Sequence, residues 1–523
     1  MRTRFALFNI VVVALTLVAL FPNLTLAEEK PLVIAFAGDA FTLDPHARNE
    51  KVSWNIQWHM YSQLVRFSPD LKILPDLAVS WKTLDDFTWE FKLRQGVKFH
   101  NGEPFNAEAA KFSVERARNW EKSQLRGQTP DYKELIAVDE YTLRMVTKRP
   151  EPEVLLQLTY ISMVPPKYFS QNDPSFLATH PVGTGPYKFV EWVKDDHIEL
   201  VRNDSWYGGK TDFEKVIFRP IPANPTRVAA LVSREIDVCV DVSIPDIPRV
   251  EKNATTYISR SPSTRYIYLT FNVQSDKGGP APEMTPGIPE GKPNPFKDVR
   301  VRKAIAHAID MDEIIKYVMS GSAYPAAQPL TSYSPDFNPG IKRPAYDPEL
   351  AKRLLKEAGY PNGFEANFDA PNDRYVNDQQ IAEAIAGQLT KIGIKLKVVA
   401  QTKTVFFNKL EKSEFAMALL GMASPGWNTN MNLIYKERKG AYGNQNYGRF
   451  KDAALEKRID EAVATVDPKK RIPLVHAIMA DAVSTYYLIP LHYQESVVGF
   501  SKSVIGKPRL DETLYAFELK RAK

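Results

Sequence analysis

Hydrophobic and polar residues alternate between Trp89 and Arg94. A period of two is typical of a strand with one buried face. A turn follows, and Asn106 then precedes a segment with helical periodicity, where its side chain is suited to capping the first turn. The apolar face of that helix would contain Ala110, Val114 and Ala117. This part of the chain therefore predicts a small sheet packed against one helix.

The same two periods recur along the chain and predict a mixed α/β protein. Strands are expected at 32–37 and 188–193, and a helix followed by a strand is expected over 381–398. Residues 298–310 have the pattern of an amphipathic helix. Its basic residues are expected on a solvated face: Arg300, Arg302 and Lys303.

Residues 182–187 read Val-Gly-Thr-Gly-Pro-Tyr and predict a tight turn. We expect its two glycines to be needed for a positive φ. A nucleotide-binding loop is excluded because Lys188 stands where the third glycine would be required. Another glycine pair, at 208–209, also fails as a phosphate loop because Asp204 occupies its first glycine position. An ATPase activity would therefore have to come from another polypeptide.

The first 27 residues have the features of a secretory signal peptide. Arg2 and Arg4 precede a short apolar run, which ends in small residues before Ala27. That run is shorter than the roughly 20 residues needed to span a membrane. Cleavage after Ala27 would leave Glu28 first, and since Glu28 is not a cysteine no lipid could be attached. We therefore expect a periplasmic protein that is not a lipoprotein and is not inserted in the membrane.

Composition and motifs exclude several classes of function. The 523 residues are 44% hydrophobic and 25% charged, and a net charge of +6 is too small and dispersed to indicate nucleic-acid binding. The single cysteine, Cys239, excludes an internal disulfide and is expected to be a small buried residue. Ser424 misses the spacing of a nucleophile elbow, and Pro425 removes the backbone donor that an oxyanion hole needs. No catalytic residue, cofactor or metal site is predicted.

Several strings resemble family 5 (peptide/nickel-type) of the bacterial extracellular solute-binding proteins, the receptors that feed ATP-binding-cassette importers. The resemblance is carried by residues 77–117, by the turn at 182–187, by the helix at 298–310 and by residues 346–364, which read YDPELAKRLLKEAGYPNGF. These segments follow the order of the family along nearly the whole chain after the signal peptide.

The resemblance implies a periplasmic binding protein of type II, with two lobes, an extra accessory domain and a ligand cleft between the lobes. Residues 28–62, 180–275 and 497–523 would form a discontinuous first lobe. Residues 63–179 would form the accessory domain, and residues 276–496 the second lobe. The second lobe would begin with the proline-rich stretch 276–296, which is expected to be an exposed loop.

Two loops are implied as ligand contacts by this resemblance. Phe41 lies in the loop after the first strand, which approaches the ligand in the family. Arg374 and Tyr375 belong to a polar loop in which the guanidinium could bind a carboxylate or phosphate and the tyrosine could offer an amphipathic face. A structural alternative is that Arg374 pairs with Asp373 or Asp378 to fix the loop.

A third loop follows the strand that ends near residue 423, and it would place Trp427, Asn428 and Asn430 at the ligand. In peptide-binding family members an aspartate of this loop pairs with the ligand's α-ammonium, but here the corresponding residues are neutral. An unpaired ammonium is costly to bury, so a free peptide N-terminus would need another partner. A sugar, an opine-like conjugate or a blocked peptide fits this loop equally well, and Trp427 could instead be a packing residue.

The resulting hypothesis is a monomeric periplasmic receptor. It would capture a small solute, above all a short peptide or peptide-like compound, by closing its lobes. It would then deliver the solute to an inner-membrane permease, whose separate ATPase supplies the energy. An oligosaccharide or opine-like ligand is the alternative within this class. A periplasmic chaperone or a secreted hydrolase are the alternatives from other classes.

Overall fold

The structure, a computed structural model, describes residues 29–274, 285–423, 426–439 and 442–522. The predicted signal peptide and much of the proline-rich stretch lie outside these residues. The strands in chain order are β1 (Leu32–Phe36), β2 (Val65–Phe67), β3 (Ile73–Pro75), β4 (Ala78–Thr83), β5 (Thr88–Leu93), β6 (Tyr132–Asp139), β7 (Thr142–Thr147), β8 (Tyr187–Val193), β9 (His197–Arg202), β10 (Lys215–Pro220), β11 (Val238–Cys239), β12 (Thr256–Phe271), β13 (Ala323–Pro325), β14 (Phe364–Pro371), β15 (Ile394–Gln401), β16 (Met417–Ala423), β17 (Leu488–Ser501), β18 (Val504–Ile505) and β19 (Lys520–Arg521).

Helices are interleaved with these strands. In chain order they are α1 (Lys51–Gln57), α2 (Ala107–Asn119), α3 (Val154–Leu158), α4 (Pro166–Gln171), α5 (Pro174–Leu177), α6 (Asn224–Val232), α7 (Ile247–Lys252), α8 (Val299–Ala308), α9 (Met311–Tyr317), α10 (Pro348–Glu357), α11 (Asp378–Thr390), α12 (Lys403–Glu411), α13 (Trp427–Asn430), α14 (Ala453–Val463) and α15 (Pro468–Ser484). None of the helices in the described ranges is long and apolar enough to cross a membrane.

The largest sheet has the order β15-β14-β16-β12-β17-β11-β1-β10-β9-β8, and β13 pairs with β17. We call β1 and β8–β11 the first half of this sheet, and β13–β16 the second half. Strand β1 runs parallel to both of its neighbours and is buried on both faces, as is typical of parallel strands in α/β proteins. The mixed α/β fold expected from the sequence is therefore confirmed.

Two long strands, β12 and β17, join the halves. The start of β12 pairs with the end of β17, which contacts β11, whereas the end of β12 pairs with β16. The antiparallel register of β12 against β17 shifts between Pro262 and Tyr266. Such an irregularity bends a strand and interrupts its ladder. We call this interruption of the pairing the hinge point.

A separate sheet, with the order β4-β5-β7-β6, packs against α2 and is called the accessory sheet. The strand and helix predicted from the local pattern are both confirmed, and the side chain of Asn106 accepts a hydrogen bond of 3.0 Å from the backbone N–H of Ala109. The predicted apolar face of the helix is buried. Cys239 is also buried, as expected.

The turn at 182–187 needs its glycines for a different reason from the one predicted. Neither Gly183 nor Gly185 has a positive φ, so that prediction is wrong. The turn instead packs directly on the backbone of Met60. A Cβ at Gly183 would lie 2.2 Å from the Met60 carbonyl oxygen, and one at Gly185 would lie 2.5 Å from the Met60 carbonyl carbon. Close backbone approach excludes any side chain here.

The amphipathic helix predicted over 298–310 is α8, but its basic residues do not all face solvent. Arg300 is exposed, as expected. Arg302 is 6% exposed and donates hydrogen bonds to the carbonyl oxygens of Thr485 and Phe296. The expectation of a solvated face is thus wrong for Arg302, because its guanidinium satisfies buried carbonyl groups that α8 itself cannot reach.

Candidate functional site

Three charged residues meet where the two halves of the sheet join. The guanidinium of Arg265, on β12, donates hydrogen bonds of 3.1 and 2.8 Å to the two carboxylate oxygens of Glu512. Lys51 of α1 lies 3.1 Å from the same carboxylate. Burial disfavours the charged form of Glu512, but Arg265 and Lys51 outweigh it and hold its pKa well below the usual range. These residues, the hinge ion cluster, connect the first half to a crossing strand.

An aromatic wall of Trp54, Trp58, Tyr160 and Tyr515 lies beside this cluster. The Trp54 and Trp58 rings stack with their centroids 5.6 Å apart, and the Tyr160 ring lies 5.4 Å from Trp54. Tyr515 meets Trp58 edge to face. Trp54 and Tyr160 are only partly buried, so the wall offers an aromatic surface of the kind that binds small ligands.

A cavity of about 610 Å³ adjoins this wall through Tyr515. It is lined by Ser261 and Pro262 at the hinge point of β12, by Tyr333 from the chain of the second half, and by the segment 507–519. Its volume lies in the range of small-molecule sites. The Ser261 hydroxyl is buried and has no hydrogen-bond partner among the described residues, so a polar ligand group could pair with it.

The residues that pack with the accessory sheet, which we call the accessory domain, contact the second half through α3. A carboxylate oxygen of Glu153, which precedes α3, accepts a hydrogen bond of 3.2 Å from the backbone N–H of Asn428. A Cβ at Gly426 would lie 2.7 Å from a methyl carbon of Leu156 and 2.8 Å from that oxygen. Gly426 therefore allows the two surfaces to approach closely. The second half faces the first half and the accessory domain together. We call the interface between these two sides the cleft.

Three acids at this contact have raised pKa values. Burial, and secondly the charge of Glu151, raise the pKa of Glu153 to about 8, and the Asn428 N–H opposes this only partly. Burial likewise raises the pKa of Glu151, against the charge of Arg149, and the pKa of Asp336. Glu151, Glu153 and Asp336 are called the acidic trio. Together they form a region in which added positive charge would be stabilised.

The raised pKa of Glu153 has a consequence for stability. The protonated group contributes stability below its unfolded pKa of about 4.5, and this contribution is lost as the pH rises through about 8. We therefore expect the unfolding free energy of the ligand-free protein, relative to that of Glu153→Gln, to decrease as the pH is raised from 4.5 to 8.5. Urea unfolding at several pH values measures this difference, and a difference independent of pH would contradict the burial of Glu153.

Two of the sequence-predicted residues are exposed. Phe41 is 63% exposed and its ring lies 4.6 Å from the Arg48 guanidinium. Arg374 is also exposed, and within the described residues its side chain forms no ion pair. Asp378 instead accepts hydrogen bonds from the backbone N–H groups of Arg374 and Tyr375. The guanidinium of Arg374 lies 5.3 Å from the centroid of the Tyr375 ring, and its N–H donors remain available to a ligand.

Tyr375 ties this polar loop to the neighbouring strand. It is 8% exposed, and its hydroxyl donates a hydrogen bond of 3.0 Å to the carbonyl oxygen of Gly421 on β16. A Cβ at Gly421 would clash with the Tyr375 ring. The positive charge of Arg265 also acts on the Tyr375 hydroxyl, which places Tyr375 next to the hinge ion cluster.

The residues of the third predicted loop, Trp427, Asn428 and Asn430, mostly contact other residues of the second half. Trp427 is 1% exposed in a core cluster, and its indole N–H has no acceptor among the described residues. Asn430 accepts from the Tyr266 hydroxyl at 2.8 Å and donates to the Gly426 carbonyl at 2.7 Å. Asn428 alone reaches across the cleft, through its backbone. The role of all six predicted residues as ligand contacts stays a prediction.

Metal ligands could come from one group at the outer edge of the sheet. Ligating atoms of Glu191, His197 and Glu199, on the β8–β9 hairpin, lie within 4.8 Å of one another. The His197 ring is 3.2 Å from Glu191 and 2.6 Å from Asp196, which raises the pKa of His197. Because this surface group belongs to the outermost hairpin, we do not include it in the candidate site.

Comparison with known proteins gives consistent results. Residues 72–444 match the family described as bacterial extracellular solute-binding proteins, family 5 Middle. The glutathione-binding protein GsiB of Pectobacterium atrosepticum is 28% identical over 510 residues, covering 94% of this chain and 93% of that protein. The periplasmic binding protein DppA of Helicobacter pylori, solved with the peptide STSA, has a TM-score of 0.75 and 27% identity over 94% of this chain and 98% of its own. HbpA2 of Haemophilus parasuis has a TM-score of 0.81 and 25% identity, covering 94% of this chain and 100% of its own.

Proposed function

Because the chain belongs to family 5 of the bacterial extracellular solute-binding proteins, we propose that it captures a short peptide or peptide-like compound in the cleft. The fold is that of type II periplasmic binding proteins, and the protein is a solute-binding receptor of an ATP-binding-cassette importer rather than an enzyme. It works together with a membrane permease.

The observation that carries the proposal is the contact of Glu153 with Asn428. It joins the accessory domain to the second half across the cleft, while β12 and β17 connect the first half of the sheet to the second half. Opening and closing about these strands would expose or bury everything between them. In our proposal residues 28–62, 180–275 and 497–523 move as the first lobe with the accessory domain 63–179, against residues 276–496.

Peptide-like ligands suit the chemistry of this cleft. The aromatic wall would contact apolar side chains, the exposed guanidinium of Arg374 would donate hydrogen bonds to a carboxylate, and the acidic trio would pair with positive charge. The relatives support this choice, since one is named for glutathione and another was solved with a tetrapeptide. The neutral amides of the 427–430 loop favour an opine-like conjugate or oligosaccharide as the second candidate.

The remaining proposals concern the setting of the protein. We propose export by a signal peptide, cleavage after Ala27, and a free, unlipidated monomer in the periplasm. The energy for import would come from an ATPase on another polypeptide, because the glycine-rich strings of this chain lack the spacing of a phosphate loop.

The function is tested by presenting the purified protein with an equimolar library of tripeptides and tetrapeptides and with a matched panel of neutral oligosaccharides. Retained compounds are identified by mass spectrometry and titrated by calorimetry. We expect saturable binding of selected peptides with a Kd of about 1 μM or tighter, equivalent to about −8 kcal/mol. Retention of oligosaccharides without peptides, or unsaturable binding of unfolded chains, would contradict the proposal.

A further inference from the structure

The carboxylate of Glu153 is buried at the cleft without a basic partner. The residue is 9% exposed, and its carboxylate accepts a hydrogen bond of 3.2 Å from the backbone N–H of Asn428. Within the described residues no lysine or arginine forms an ion pair with Glu153. A buried carboxylate with so few donors is costly, because burial removes the group from water and replaces few of its hydrogen bonds. Among the described residues the site therefore has few hydrogen-bond donors and no cation paired with Glu153.

Acceptor oxygens without a hydrogen-bond donor lie on both sides of the cleft. From the second half, Asp336 is 7% exposed and its Oδ1 has no partner, yet its charge acts on Glu153. From the accessory domain, Glu151 is 2% exposed and its Oε1 has no partner. The Oε1 of Gln157, one turn of helix after Glu153, is also unpartnered. All four side chains offer hydrogen-bond acceptors. The described residues supply no donor to the unpartnered oxygens of Asp336, Glu151 and Gln157.

The charged side chains nearby do not pair closely with these acceptors. The Arg149 Nε lies 4.0 Å from the other oxygen of Glu151, at the limit of an ion pair. Arg471 and His476 act on Asp336 from a distance and lower its pKa only partly. A small cation with several N–H donors would satisfy the acceptors around Glu153, and a primary ammonium has three such donors.

We propose that Glu153, flanked by Glu151 and Asp336, is the subsite for the free ammonium group of the ligand. This inference rests on the proposed function, because it takes the ligand to be peptide-like. The carboxylate that pairs with the ammonium is then contributed by the accessory domain. Binding of the ligand would at the same time satisfy the acceptors at the cleft, so that the ammonium would stabilise the closed state.

The test compares the peptide library with the same library after N-acetylation, for the natural protein, for Glu153→Gln and for the control Glu121→Gln. Glu121 is an exposed acid of the same domain. We expect acetylation to weaken binding to the natural protein and to the control at least tenfold. Glu153→Gln should bind free peptides as weakly as acetylated ones and lose nothing further on acetylation. Circular dichroism and thermal unfolding confirm that each variant is folded.

A second measurement needs only the natural protein. An ammonium beside Glu153 would lower its pKa from about 8, so binding at pH 7 should release close to one proton. Calorimetry in phosphate and in Tris buffers, which differ in ionisation enthalpy, measures this release, and Glu153→Gln should abolish it. Equal affinity for free and acetylated peptides, without proton release, would overturn the subsite while leaving peptide binding intact. Failure to bind either library would instead overturn the peptide assignment and the subsite with it.

Discussion

Arg509→Met is expected to lower the free energy of unfolding by about 3–5 kcal/mol, the range for breaking one side of a buried ion pair. Arg509 is 1% exposed. Its guanidinium donates to the carboxylates of Asp511 and Glu518 and to the carbonyl oxygens of Phe67 and Ser68. Methionine fills a similar volume but donates nothing, so two carboxylates and two carbonyl groups would each lose one donor.

The matched control is Arg458→Met. Arg458 also pairs with an acid, Asp481, but the two side chains are 41% and 56% exposed. Exposed pairs contribute about 0–1 kcal/mol, so this variant should unfold almost like the natural protein. Urea unfolding of both variants measures the difference. Similar losses in the two would show that the contacts of Arg509 do not hold the C-terminal segment in place.

Trp427→Ala is expected to cost about 3–5 kcal/mol of unfolding free energy, as is usual for removing a large buried aromatic side chain. The indole is 1% exposed and lies in a core cluster with Tyr266, Met431 and Tyr435. Truncation would leave a cavity that this packed cluster cannot fully close. Trp427→Phe, which keeps a ring, should cost clearly less.

Thermal and urea unfolding of the two Trp427 variants, with peptide binding measured on each folded protein, separates packing from ligand contact. A large loss of affinity in Trp427→Ala with unchanged stability would contradict the packing role. It would also support the alternative in which Trp427 is an aromatic platform for the ligand. Loss of both would be expected if the indole N–H also donates to the ligand.

The parts of the fold that depend on neighbours in sequence could be predicted. The strand Thr88–Leu93 and the helix after Asn106 follow from a local period and a local cap. The predictions for Gly185 and Arg302 failed because the environment of each residue is set by a contact that is distant in sequence. Gly185 is needed because Met60 packs against it, and Arg302 is buried because Thr485 offers its carbonyl.

The candidate site could be predicted only in part for the same reason. Glu153 and Asn428 are 275 residues apart in sequence. Arg265 and Glu512 are separated by 247 residues. No local pattern marks Glu153, although Trp54 and Trp58, one helical turn apart, could have suggested a shared aromatic surface. The resemblance predicts which loops contact the ligand, but which side chains face the cleft depends on how the lobes meet.

The central claim is that a peptide bound in the cleft draws the two lobes together about β12 and β17. Small-angle X-ray scattering of the protein, with and without a saturating peptide selected from the library, tests it most directly. Hinge closure compacts the molecule, so we expect a smaller radius of gyration and a shorter maximum dimension when the peptide is bound. An unchanged radius of gyration at full saturation, shown by calorimetry on the same sample, would contradict the account.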